Sequence, residues 1–125
     1  MTVLEAIIAC LNDSKTNQYN CTLIDGGMII EINEKIIPVT LIISDTQITV
    51  VCNLFRDNEV ITHSRLELLE AMHNMNLPLN LSSFSRSGDW HIIFGALSID
   101  SNMNAIEEEI NTLISNTEKP SEIYY

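Results

Sequence analysis

Apolar residues follow a helical spacing in three parts of the chain. Near the start, Thr2 and Glu5 are placed as in a capping box, where Thr2 accepts from the Glu5 amide and Glu5 reaches back. The apolar positions behind it predict a first helix of about three turns: Leu4, Ile7, Ile8 and Leu11. A second capping box, Ser64 to Glu67, predicts a helix that runs to about Asn76. The third helix is predicted from Met103 to Thr117, with a buried stripe of Met103, Ile106, Ile110, Leu113 and Ile114.

Between these helices the apolar pattern changes to that of β-strands. Asp25-Gly26-Gly27 predicts a hairpin turn, since glycine tolerates positive φ, and Ser87-Gly88 predicts another. Pro38 places the start of one strand at a sheet edge or a bulge. Another strand alternates between apolar and polar residues, which predicts one face in the core: Ile48, Val50, Cys52 and Leu54. The predicted strands are Tyr19–Asp25, Met28–Ile32, Ile36–Ile43, Gln47–Leu54, Leu81–Arg86 and Trp90–Leu97.

The order of these elements predicts the fold class. The chain runs helix, strands, helix, hairpin, helix, and tight turns rather than crossover helices join the strands. We therefore predict an α+β fold, with an antiparallel sheet of about five strands and three helices packed against it. A chain of 125 residues suits one domain, which we place at residues 1–118, followed by a flexible C-terminal tail at residues 119–125.

The chain is strongly acidic, with 17 Asp and Glu residues against 6 Lys and Arg and a net charge of −11. Such a surface repels phosphate groups, which argues against binding to nucleic acid or to anionic membranes. No apolar run approaches the roughly 20 residues that a membrane helix needs, and the N-terminus lacks the basic region of a signal peptide. We therefore expect a cytoplasmic protein without direct membrane insertion, whose acidic surface suits a basic protein partner.

No group of residues has the spacing of a catalytic or metal site. The three cysteines are far apart within apolar runs and fit buried free thiols: Cys10, Cys21 and Cys52. His73 and His91 lack a second ligand three or four residues further along the chain, and the histidines are expected at the surface or at sheet edges: His63, His73 and His91. Glu107-Glu108-Glu109 fits a solvated helix face, because consecutive helical side chains diverge and cannot converge on one ion. We expect no enzyme activity, cofactor or metal.

The only tryptophan, Trp90, shares one face of its predicted strand with Phe94, and Ile92 lies between them. A single tryptophan in a small domain usually belongs to the core, because aromatic side chains bury a large area. The alternative is an interface anchor, since aromatic residues are enriched in binding hot spots. Apolar residues on both faces of several strands favour the alternative, because one layer of three helices leaves sheet area to be closed by a second copy or a client: Ile29, Ile37, Ile42, Val51 and Ile93.

Three short elements of the sequence resemble a family of small uncharacterised bacterial proteins, the YjfI family. They are Leu77-Pro78-Leu79, Ser82-Ser83-Phe84 and Phe94-Gly95-Ala96-Leu97-Ser98, and the likeness covers most of the chain, including the acidic final helix. The chain departs from the family pattern at Arg86 and Asp89-Trp90-His91, where a turn and a more aromatic strand would be expected. Members tend to be encoded near proteins resembling phage-shock protein A, a coiled-coil membrane-stress protein. The resemblance implies a non-enzymatic accessory role in that system, with no catalytic residues.

The element order and the acidity are also similar to those of type III secretion chaperones. These are small acidic proteins, usually homodimers that hold an extended client, and the likeness supports a fold more than a function. We predict a cytoplasmic protein-binding adaptor or chaperone-like accessory protein that forms a homodimer through a sheet face, a sheet edge or a helix packed on the sheet. A small-ligand sensor or enzyme with a pocket near Trp90 and His91 is the alternative function. The candidate contacts with a partner or a second copy are Trp90, Phe94, Leu68, Met72 and Met75.

Overall fold

The computed structural model describes residues 2–14, 18–32, 37–56, 59, 65–76 and 82–117, with residues 65 and 68 described by their backbone alone. Its elements in chain order are α1 (Val3–Asn12), β1 (Tyr19–Ile24), β2 (Gly27–Ile32), β3 (Val39–Ile43), β4 (Gln47–Arg56), α2 (Arg65–Met75), β5 (Ser83–Ser87), β6 (Trp90–Ser98) and α3 (Met103–Asn116). The α+β prediction is confirmed, with six strands where about five were expected. Several predicted features lie outside the described residues: the Ser64 cap, His63, the Leu77-Pro78-Leu79 element and the tail at residues 119–125.

All six strands form one antiparallel sheet in the order β1-β2-β3-β4-β6-β5. Strands β1 to β4 follow one another as a meander, and the chain then passes through α2 before the β5–β6 hairpin docks on β4. The two-residue turns are Asp25-Gly26 and Gly88-Asp89, in which Gly26 and Gly88 have φ angles of 77° and 62°. The second turn lies one residue beyond its predicted position.

Side-chain caps fix the start of two helices. The Thr2 hydroxyl accepts a hydrogen bond from the Glu5 N–H at 3.1 Å, as the capping box predicted. Asn102 has the same role in α3, where its Oδ1 accepts from the Ala105 N–H at 2.8 Å. The predicted stripe of α3 is buried except at Met103, which is half-buried. None of the three described helices combines the length and the apolar composition that crossing a bilayer requires.

The hydrophobic core lies on one face of the sheet. Residues directly opposite each other in antiparallel strands project to the same face, so the strand register divides the side chains between two faces. The fully buried set lies on one of them, here called the core face: Met28, Ile30, Val39, Leu41, Ile48, Val50, Cys52 and Ile93. Residues from all three helices join this cluster, including Ile7, Leu11, Met72 and Ile110. Ile93 and the partly buried Ile37, which the sequence had assigned to a second apolar face, therefore belong to the core.

Two local features correct the predicted strands. Strand β3 lies between β2 and β4, so Pro38, which directly precedes it, marks the start of an interior strand rather than of an edge strand. The pairing of β4 with β6 shifts between Asn53 and Phe55, so the predicted alternation holds through Leu54, which packs against the core, and ends there because Phe55 packs against the core as well. Beyond the shift, Phe55 lies opposite His91 and Arg56 lies opposite Trp90.

Candidate protein-binding surface

The face of the sheet opposite the core, here called the open face, carries a cluster of apolar side chains. None of the described helices contributes to this face, because their buried residues all pack on the core face. Ile42 is 47% exposed, and the other members of the cluster are half-buried. The open-face cluster consists of Ile29, Ile42, Val51, Trp90, Ile92 and Phe94.

The strand register makes this cluster continuous. Ile29 lies opposite Thr40, Thr40 opposite Val51, and Val51 opposite Phe94, so one row crosses four strands. Directly opposite side chains on one face have Cβ atoms about 5 Å apart and contact each other. On β6, Trp90, Ile92 and Phe94 alternate with buried residues and extend the row along the strand. The apolar side chains, linked across β3 by Thr40, therefore form a single patch with few charges.

The open face is almost free of charge, although the chain as a whole has a net charge of −11. At the paired positions on this face, only Glu31 and Arg56 are charged. The Arg56 guanidinium carbon lies 4.9 Å from the centre of the Trp90 ring, and this cation–π contact is worth about 0.5–1 kcal/mol at an exposed site. The backbone N–H of Arg56 donates a hydrogen bond to Glu59 Oε1 at 2.8 Å. Arg56 therefore helps to hold the Trp90 ring in place.

The predicted contact residues fall on two different sides of the molecule. Trp90 and Phe94 lie on the open face, as their shared strand face predicted. Met72 is buried on the core face, with its Sδ 3.1 Å from His91 Nδ1, and Met75 is half-buried against the core. The side chain of Leu68 lies outside the described part of the chain. The structure thus brings Trp90 and Phe94 together with Ile92 and Val51, and it separates them from helix α2.

His91 is fully buried, so its predicted position at the surface or a sheet edge is wrong. Strand alternation is the reason, because Trp90 faces outward and the next residue must face the core. The His91 ring stacks on Phe55 with ring centres 4.8 Å apart and planes 23° apart. His73 is exposed, as predicted. Because Trp90 and His91 project to opposite faces of β6, they do not line one common pocket.

Glu109 is also buried, which corrects the prediction of a solvated acidic face. Glu108 is exposed and Glu107 is half-buried, where its Oε2 accepts from the Ser14 hydroxyl at 3.4 Å. Glu109 is only 3% exposed, and within the described part of the chain its Oε1 has no hydrogen-bond partner. Burial raises the pKa of the Glu109 carboxyl, and the charge of Glu108 raises it further.

The three cysteines are free thiols without an activating environment. Cys52 is buried as predicted, and burial raises its pKa to about 12. Cys10 and Cys21 are half-buried, and burial raises the pKa of both thiols, with Glu107 and Asp13 adding to the effect at Cys10. A nucleophilic cysteine needs a lowered pKa instead. Among the described residues, no three His, Cys, Asp or Glu side chains are grouped so that they could hold a metal ion.

Sequence reasoning left two residues of this surface out of the candidate contacts. Ile92 was placed between Trp90 and Phe94 on the same strand face, as the alternation along β6 confirms, but it was not named as a contact. Arg56 reaches Trp90 only because the β4–β6 register shifts at Asn53. No local pattern in the sequence marks that shift.

Comparison with solved structures supports the predicted fold. The chain is similar to a chain in the crystal structure of the ExsC–ExsE complex, with a TM-score of 0.63 and 8% sequence identity. The match covers 99% of this chain and 97% of that chain. The α+β architecture is therefore that of a type III secretion chaperone-like fold.

Comparison by sequence identifies a family. A search of the curated proteins found no match. A family model described as "Uncharacterized protein conserved in bacteria (DUF2170)" matches residues 4–125, nearly the whole chain. The chain therefore belongs to this bacterial family, DUF2170.

Proposed function

We propose that this protein is a non-enzymatic, chaperone-like adaptor of the cytoplasm that binds another protein, and that two copies of it pair through the open face. The observation that carries the proposal is the open-face cluster, an apolar patch that crosses four strands and has only two charged side chains on its face. The fold likeness to a chain of the ExsC–ExsE complex supports a protein as the partner. Continuous exposed apolar patches of this kind mark protein interaction sites.

The size of the open face fits a homodimer. Six strands about 4.8 Å apart, with about six residues each at 3.3 Å, outline a face of roughly 500 Å². Two copies would bury roughly 1,000 Å² in total, the size at which biological interfaces begin. Burial of apolar area is worth about 25 cal/mol per Å², whereas each exposed charge pair contributes about 1 kcal/mol or less. Burial therefore outweighs the repulsion between two acidic copies, and added salt tightens the dimer by screening that repulsion.

Light scattering of two matched variants tests the dimer. Ile42→Asp places a carboxylate in the open-face cluster, and Leu66→Asp makes the same change at a residue of α2 that is 66% exposed. Burying an unpaired carboxylate costs well over about 3 kcal/mol, so Ile42→Asp should weaken the dimer by at least about 100-fold. The Leu66→Asp variant should still have the mass of a dimer. A monomeric wild type in both low and high salt, or dissociation by Leu66→Asp alone, would contradict the proposal.

The YjfI-like sequence elements suggest the partner to test first. We propose a phage-shock-protein-A-like coiled-coil protein as a binding partner of the adaptor. Mixing the two purified proteins should give a complex that elutes earlier than either component in size-exclusion chromatography. Failure to form a complex under several salt conditions rejects this partner and leaves the dimer proposal to the light-scattering experiment.

A further inference from the structure

The two outer strands of the sheet differ in how their free edges are covered. On β5, the amide group of Asn76, just behind α2, bonds both backbone groups of Phe84. Asn76 Nδ2 donates to the Phe84 carbonyl oxygen at 3.3 Å, and Asn76 Oδ1 accepts from the Phe84 N–H. An added strand would use these same two groups. The β5 edge is therefore already occupied at its centre.

The other edge, β1, presents its backbone groups outward. Ile24 and Gly27 flank the two-residue turn, and such flanking residues form a hydrogen-bonded pair. Hydrogen-bonded pairs alternate along an antiparallel ladder, so Thr22 and Asn20 also bond β2. The N–H and C=O groups of Cys21 and Leu23 must then point away from the sheet. Within the described part of the chain, no hydrogen bond involves these outward groups.

Strand β1 also lacks the features that protect natural edge strands from pairing. Such strands usually carry a lysine, a proline or a bulge. The sequence of β1, YNCTLI, contains no charge and no proline, and all six residues pair with β2 in unbroken register. Leu23 is 61% exposed, and Ile24, which projects to the opposite face, is exposed as well. A strand added to this edge would cover apolar side chains on both faces.

The charges beside β1 indicate what kind of strand fits there. A cleft of about 530 Å³ lies at the start of β1, and Glu31 lines it together with Tyr19 and Asn20. Asp25 follows the other end of the strand. A carboxylate therefore lies near each end of β1, with Asp25 in the turn after it and Glu31 on the neighbouring strand opposite Asn20. A second copy of β1 would bring the same carboxylates to the same edge and be repelled, whereas a segment with Lys or Arg at both ends would be attracted.

We infer that β1 accepts an added β-strand from a basic, extended segment of a partner protein. This inference rests on the proposed protein-binding function, and it assigns the partner to the backbone edge of β1, whereas the proposed dimer uses the side chains of the open face. Backbone hydrogen bonds to Cys21 and Leu23 supply affinity that does not depend on sequence, as in other complexes formed by strand addition. The carboxylates near the two ends of β1 favour segments that carry Lys or Arg at their ends.

A peptide probe and two variants of Leu23 test the inference. The probe is a labelled eight-residue peptide of alternating Val and Thr with a Lys at each end, and its matched control has Glu at each end. Leu23→Pro removes an outward N–H and no hydrogen bond to β2, since the Leu23 N–H does not point toward β2. Edge strands tolerate proline at such positions. Leu23→Thr trims the same side chain and keeps the N–H.

The expected results follow from these changes. The Lys-ended peptide should bind the wild type and the Leu23→Thr variant with affinities within about threefold, whereas Leu23→Pro should bind more than about tenfold more weakly, a loss of at least 1.4 kcal/mol. The Glu-ended peptide should bind more than about tenfold more weakly at low salt, and this difference should shrink as salt screens the charges. The bound peptide should also slow hydrogen exchange at the Cys21 and Leu23 amides.

Several outcomes would overturn the inference. They are absence of Lys-ended peptide binding at millimolar concentration, equal binding by Leu23→Pro, and equal binding of the Glu-ended peptide. Protection of the Cys21 and Leu23 amides that rises with protein concentration in the absence of peptide would show that a second copy occupies the edge. If Leu23→Pro does not fold, hydrogen exchange in the wild type decides the question. The mass of the Ile42→Asp variant reports on the open face alone, so the dimer and the strand-accepting edge can fail independently.

Discussion

Replacing Glu109 with Gln is expected to stabilise the protein at neutral pH. The Glu109 side chain is 3% exposed on the buried side of α3, between the turns that carry Ile106 and Leu113. Within the described residues its Oε1 has no partner, and Glu108 adds a like charge next to it. Glutamine has nearly the same shape and no charge. The substitution therefore removes the cost of keeping a carboxylate away from water.

The sign and the size of this effect depend on pH. Burial raises the pKa of Glu109 in the folded protein above its ordinary value of 4.5. Well below pH 4.5 the group is protonated in both states and carries no penalty. As the pH rises, the unfolded chain loses this proton first, so the free energy of unfolding falls until the pH passes the folded pKa. Each unit of pKa difference corresponds to about 1.4 kcal/mol, and relief of a buried unsatisfied group is worth about 1–3 kcal/mol.

Urea unfolding at several pH values measures this effect. Wild type, Glu109→Gln and Glu108→Gln should be compared at one protein concentration, because dissociation of a dimer would otherwise change the apparent stability. The gain of Glu109→Gln should be near zero at about pH 4, rise with pH and then level off. The exposed Glu108 control removes the same charge and should stay within about 0.5 kcal/mol. A loss of stability in Glu109→Gln at neutral pH would show that the carboxylate has an ionic partner, and the reasoning would be wrong.

Two further predictions concern the glycines of the first hairpin and the three thiols. A Cβ on Gly27 would overlap the Leu41 carbonyl oxygen, so Gly27→Ala should lower the unfolding free energy by more than about 3 kcal/mol. A Cβ on Gly26 would contact no other atom, so Gly26→Ala should lower the unfolding free energy only by the strain of an alanine in the left-handed conformation, about 1–2 kcal/mol. Denaturant unfolding of both variants measures the two losses. With its pKa raised to about 12, Cys52 should react with a thiol reagent at neutral pH only after unfolding, and more slowly than Cys10 and Cys21. Equal native reaction rates for all three thiols would contradict this.

Local sequence patterns were sufficient to predict most of the fold. The Thr2 cap and the apolar spacing behind it are local signals, and the structure confirms the helix that they predict. Tight turns force neighbouring strands to pair, which explains why the meander from β1 to β4 was predicted. The pairing of β4 with β6 is different, because α2 and β5 lie between them in the chain. Such a long-range choice depends on how whole elements pack, and no short pattern specifies it.

The candidate surface was predicted only in part, and for a related reason. Alternation along a strand shows that Trp90 and Phe94 share a face, but it does not show which face the helices cover. The sequence therefore grouped these residues with Met72, which in fact packs on the opposite side against His91. The burial of His91 follows from the same alternation once Trp90 is known to face away from the core. At least one contact between a helix and the sheet is needed to know which face is the core face, and the contact between Met72 and His91 provides it.

The scarcity of charge on the open face supports the proposal that this face is an interface. Its polar positions are mostly uncharged, and several of them, such as Thr40, Thr49 and Asn53, lie among the apolar residues rather than at the rim. Val51 and Phe94 lie side by side near the middle of the sheet, and Glu31 and Arg56 are the only charged side chains at the paired positions of the face. Depletion of charge together with enrichment in aromatic residues is the pattern of the buried centre of protein interfaces. Two copies paired about an axis near Val51 would leave β1 at the outer margin of each sheet, because β1 is three strands away from β4. The dimer would then present two accessible strand-accepting edges, one on each side.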